Sequence, residues 1–74
     1  MKFIFRDRKP IAFSVAFDRE EDGRWIAEIP ELPGVMAYGR TRFEAKRLAE
    51  SIALRTLADR IENGDRLPSA LVAA

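Results

Sequence analysis

The residues able to do chemistry in this chain are few, and their types narrow the field at once. None of the 74 residues is a histidine or a cysteine. That removes the commonest general base, the commonest metal ligand, thiol nucleophiles, zinc knuckles and disulfides together. Carboxylates remain as acid or base groups, and Asp18, Glu20, Glu21 and Asp22 crowd one short stretch. Crowded carboxylates can share a proton or hold a hard cation, but a calcium loop spreads alternating ligands over about 12 residues, whereas these four lie within one short stretch. A solvated turn tip is the plainer reading. Ser14, Ser51 and Ser69 are the candidate nucleophiles, and only Lys2, Lys9 or Lys46 could activate them. The inventory argues against an enzyme and points to no metal or other cofactor.

Other groups suit binding better than catalysis. Gly34 and Gly39 form neither G-x-G-x-x-G nor G-x-x-x-x-G-K, so no phosphate cradle is read, and Gly39 fits a strand-to-helix turn. Trp25 and Tyr38 could stack bases, as aromatic residues on sheets do in single-strand binders. Trp25, however, shares its side of a strand with Ala27 and Ile29, which favours a place in the core. Arg40, Arg42, Lys46 and Arg47 cluster around one helix start, where they can meet phosphates, acidic side chains or only water.

The elements that position these groups must fit into one small domain. At 8.4 kDa the chain has room for a single core, and domains of this size bury only about 60–65% of their unfolded surface. With no disulfide to brace it, association with another chain is a natural source of stability. Hydrophobic residues make up 47% and charged residues 34%, too apolar for disorder. The charge balance is 13 basic to 12 acidic, and neither half is basic enough to act alone as a phosphate surface. Phe3-Ile4-Phe5 is too short for a signal peptide or a membrane span, so a cytoplasmic protein is expected.

Ile11 to Phe17 places large apolar residues at every second position, the period of a strand. Asp18 to Gly23 is a charged loop whose Asp-Gly suits a hairpin turn. Residues 24–29 form a second strand, with Trp25, Ala27 and Ile29 on one face and Ile26 and Glu28 on the other. Pro30-Glu31-Leu32-Pro33-Gly34 is a stiff corner, because two prolines withhold ladder donors. Residues 35–39 form a third strand. Thr41-Arg-Phe-Glu44 is a capping box that opens a helix to about residue 62, and Asn63-Gly64 stops it. Ser69 to Ala74 read either as an added edge strand or as a frayed tail. The order β-β-β-α-β, or β-β-β-α without the last strand, predicts an α+β two-layer domain: a three-stranded antiparallel sheet plus one helix. On the helix, Ala45, Leu48, Ala49, Ile52, Ala53 and Thr56 form one arc. Phe43, Leu54, Leu57 and Ile61 form a second, available for an oligomer interface.

Within this frame, Asp22 to Ala45 reads D-G-x-W-x-A-x-I-P-E-L-P-G-x-x-A-x-G-x-T-x-x-E-A. The P-E-L-P-G corner between two strands, followed at fixed spacing by G-x-T-x-x-E-A, resembles the N-terminal domain of HicB-family antitoxins. The likeness extends over about residues 11–68. It implies a partial ribonuclease H-like fold without that fold's metal-binding carboxylates. It also implies a type II toxin–antitoxin role: covering the active site of HicA, a small ribonuclease that cleaves messenger RNA. The family is commonly oligomeric, so a dimer or tetramer is expected. The chain stops at Ala74, about ten residues past the helix stop, without room for the appended ribbon-helix-helix or helix-turn-helix domain of many relatives. Residues 1–74 are therefore expected as one domain that does not bind DNA directly. The acidic residues Glu20, Glu21, Asp22, Glu28 and Glu31 are the expected partner-binding surface.

Overall fold

The computed structural model describes residues 10–72; Lys2, Lys9 and the last two residues of the predicted tail strand lie outside the described residues. Three strands, β1 (Ala16–Arg19), β2 (Trp25–Glu28) and β3 (Met36–Gly39), pair antiparallel in chain order, and one helix, α1 (Arg42–Glu62), packs on one face of the sheet. The chain is an α+β domain of a three-stranded antiparallel sheet followed by one long helix.

The turn between β1 and β2 closes where the sequence places Asp22-Gly23. The Gly23 N–H donates to the Glu20 carbonyl at 2.9 Å, and Gly23 then adopts φ +89°, which glycine accepts without strain. The first strand lies further along the chain than its alternating pattern predicts. Pairing runs from Ala16–Glu28 to Arg19–Trp25, so Asp18 and Arg19 belong to the ladder and Ile11–Val15 do not. The cause is the partner strand: beyond Ile29 stands Pro30, which has no N–H to offer. Residues 11–15 instead run beside the corner.

That corner folds inward rather than only turning. The Ile29 N–H donates to Val35, and short bonds link Leu32 to Ile29 and Val35 to Leu32, with Gly34 at φ +90°. Ile29, Leu32 and Val35 are thereby buried together. Across the sheet Ala27 and Ala37 face α1, which presents Ala45, Ala49 and Ala53 in return. Small side chains on both layers let the backbones approach closely. Gly39 marks the closest point: a Cβ there would fall on the Ala45 backbone nitrogen and lie 2.9 Å from the Ala45 Cα.

The helix begins and ends as its caps dictate. Thr41 Oγ1 accepts the Glu44 N–H at 3.0 Å; the Glu44 carboxylate reaches back one residue beyond the standard box, accepting the Arg40 N–H at 3.2 Å. At the far end the Gly64 N–H donates to Ile61 and the Asp65 N–H to Arg60, a Schellman arrangement with Gly64 at φ +72°. Among the described residues there is no fourth strand. Ser69–Leu71 form a single 3-10 turn whose donors are used locally, which drops Leu71 into the core. The edge-strand expectation survives only as one antiparallel bridge between Ile11 and Val72, with the Ala12 N–H donating to the Leu71 carbonyl at 2.8 Å.

Candidate functional site

The five acidic residues expected to face a partner do not form one surface. Asp22 is engaged at the hairpin tip, where its carboxylate accepts the Arg24 N–H at 3.0 Å and pairs with Arg24 Nε at 2.8 Å. The backbone bond, helped by the guanidinium, holds its carboxyl below the usual range. Glu31 is engaged at the corner: its Oε1 accepts the Ser14 N–H at 3.0 Å and its Oε2 the Ser14 hydroxyl at 2.8 Å. Those two donors hold the Glu31 carboxyl below its usual range, so it is a poor base for the serine it touches. Ser14 is thus a clamp residue. Glu20, Glu21 and Glu28 accept no side-chain hydrogen bond among the described residues, and of these only Glu28 sits on the sheet proper.

Strand alternation and register decide which face each group occupies. Glu28 pairs with Ala16 and Met36, and Ile26 pairs with Asp18 and Tyr38, all pointing away from α1. This outer face carries Met36 and Tyr38, both about two-fifths exposed (41% and 43%). The Arg24 guanidinium lies 4.5 Å from the Tyr38 ring centre. Trp25 points to the opposite, helix-covered side. The two aromatic residues therefore do not make the joint stacking platform that their sequence positions allow.

A different cluster does assemble, on the helix side at the hairpin end of the sheet. Phe17 and Trp25 meet edge to face, 6.4 Å between ring centres at 89°. Arg42, in the first turn of α1, lays its guanidinium 4.4 Å from the Phe17 centroid and 5.9 Å from that of Trp25. Arg19, the cross-strand neighbour of Trp25, sits 5.1 Å from the Trp25 ring. Phe17, Arg42, Phe43 and Lys46 line an open hollow of about 290 Å³. Sequence reading singled out Arg42 and Lys46 but not Phe17 or Arg19. Their shared parity with each other, opposite Trp25, was the available signal.

The second apolar arc of α1 is divided. Leu57 is 5% exposed and belongs to the core, a correction to its placement in an oligomer patch. The buried row is Ala45, Ala49, Ala53, Leu57; each step of four residues advances about 40° around the helix, so the row slants and takes in Leu57. Phe43 is 73% exposed but stands about 16 Å along the axis from Leu54. It lines the hollow with Phe17 instead. Leu54 and Ile61 remain as exposed neighbours, while Leu48 and Ile52 flank the buried row rather than filling it.

Among the described residues no group of three or more His, Cys, Asp or Glu side chains is placed to hold a metal ion. No helix among them is long and apolar enough to cross a membrane. No protein-family model, curated protein or solved structure matches the chain.

Proposed function

We propose that the chain is a non-catalytic, protein-binding domain: an antitoxin of a type II toxin–antitoxin system that occludes a HicA-like, mRNA-cleaving ribonuclease. The observation that carries this reading is the P-E-L-P-G corner followed by G-x-T-x-x-E-A in a β-β-β-α unit. Four of the motif residues have clear structural tasks. Leu32 fills the core, Gly34 makes the left-handed turn, Gly39 admits the helix backbone and Thr41 caps it. The finer fold assignment, a partial ribonuclease H-like unit, belongs to the same reading.

Occlusion needs a surface rather than a reacting group. The outer sheet face supplies apolar area at Ile26, Met36 and Tyr38 with Glu28 among them. Aromatic anchors carry much of the energy at protein interfaces. Glu28, with Glu20 and Glu21 at the tip, would orient a basic partner and speed its approach. Self-association as a dimer or tetramer is part of the proposal, through the exposed Leu54 and Ile61.

The test is co-expression of the chain with the product of the adjacent small reading frame, scored by recovery of growth and by co-purification. The expected result is a stable complex and silenced ribonuclease activity, both lost in Tyr38→Lys with Glu28→Lys. Absence of a complex with the unaltered chain overturns the antitoxin role. Light scattering of the chain alone, with and without Ile61→Lys, tests self-association: an unchanged monomeric mass rejects it.

A further inference from the structure

The hollow at the start of α1 has a composition that the antitoxin reading does not use. Two of its four lining residues are cations, Arg42 and Lys46, and the other two are aromatic, Phe17 and Phe43. Among the described residues the single ion pair joins Arg24 to Asp22, so neither Arg42 nor Lys46 is paired with a described carboxylate. The acid closest to them in sequence, Glu44, is turned away to cap the helix at the Arg40 N–H. Arg42 is not a loose surface charge. Its guanidinium is braced against the Phe17 and Trp25 rings, and a guanidinium held in this way can still offer N–H donors to an anion. Phe43 adds an aromatic face that is 73% open to water.

We propose that this hollow is a subsite for one nucleotide of a single-stranded nucleic acid, with a base stacked on Phe43 and its phosphate held by Arg42 and Lys46. Two features of the cavity must be satisfied at once, a cation pair with no ion-pair partner among the described residues and an uncovered ring. A nucleotide supplies the anion and the π-face in one repeating unit, whereas an acidic peptide answers only the first. A volume of about 290 Å³ suits one unit rather than a long groove. Binding through phosphate and a stacked ring is tolerant of sequence, because every base has a π-face. This subsite goes beyond the antitoxin proposal and stands or falls independently of it.

The experiment uses the full chain and labelled oligomers of about ten nucleotides, oligo(U) and oligo(dT), followed by fluorescence anisotropy at low salt. Trp25, the only tryptophan, is a built-in reporter because Arg42 lies against its ring. The expected result is binding that quenches or shifts Trp25 emission and weakens as salt rises. Phe43→Ala should lower affinity by about 5- to 150-fold, the range that one base–aromatic stack is worth. That side chain is too exposed for its removal to unfold the domain. Lys46→Ala should reduce the slope of affinity against salt by about one phosphate contact. The ratio of oligo(U) to oligo(dT) affinity tells RNA from DNA. The proposal is overturned by no binding of either oligomer at about 20 mM salt, or by binding indifferent to both variants. Capture of an oligoglutamate peptide in place of the oligomers overturns it too, in favour of an acidic protein partner.

Discussion

Ser14 and Glu31, seventeen residues apart, meet through two parallel hydrogen bonds, the Ser14 N–H at 3.0 Å and its hydroxyl at 2.8 Å. The pair ties the unladdered segment before β1 to the proline corner. It takes the place of the strand pairing that Pro30 prevents.

The sign of its pH dependence follows from the depressed Glu31 carboxyl. A carboxylate whose folded pKa lies below its unfolded value stabilises the fold above that unfolded value. The contribution disappears as pH falls through the lower, folded value. Thermal melts of the unaltered chain should therefore fall in acid more steeply than those of Glu31→Gln. Ser14→Ala, which keeps the backbone donor, should lie between them. Parallel acid profiles for all three would sink the assignment.

Gly39→Ala tests the close approach of the two layers. A methyl group there meets the Ala45 backbone, which cannot swing aside as a flexible side chain would. The expected cost is about 1–3 kcal/mol, typical of overpacking. Denaturant unfolding at an unchanged midpoint would show that the helix start is looser than described.

Leu57 and Leu54 are three residues apart on α1 and should behave as opposites. Leu57→Ala removes a core side chain and should cost about 2–5 kcal/mol. Leu54→Ala acts on a side chain that is 59% exposed and should stay within about 0.5 kcal/mol in the monomer. Equal losses would mean that the buried row is placed wrongly on the helix.

Gly64→Ala would force a left-handed conformation on a residue with a Cβ, at about 1–2 kcal/mol. The space around Gly64 is open, so the penalty is one of backbone geometry alone. Gly64→Asn should therefore recover part of the loss, since asparagine tolerates that region better. If alanine and asparagine cost the same, the Schellman cap is not what ends the helix.

Local signals with a stated mechanism were legible: the Asp22-Gly23 turn, the Pro30–Gly34 corner, the Thr41 cap and the Gly64 stop each depend on residues only a few positions apart. Side-chain alternation placed Trp25 and Glu28 on opposite faces of β2 correctly. Less legible was anything set by a neighbour distant in sequence. The span of β1 was decided by where β2 loses its donors, not by the alternation of Ile11 to Phe17. Leu57 was misplaced because a broad arc was read where a slanting row of every fourth residue is buried. The engagement of Glu31, expected on a partner-binding surface, is not legible because Ser14 lies seventeen residues away on another segment. The Arg42 stack required knowing that the helix start lies over Phe17, which only the packed structure supplies.

Along the middle of the contact, Ala45 and Ala49 of the helix meet Ala27 and Ala37 of the sheet, while the larger Ile29, Leu32 and Leu57 complete the core. The helix comes this close because only methyl groups stand between the layers there. A larger residue at Ala27, Ala37, Ala45 or Ala49 would act as a spacer and part them. The Arg42 guanidinium is carried by the helix and its two rings by the sheet, so such a spacer would also draw the cation off the rings that brace it.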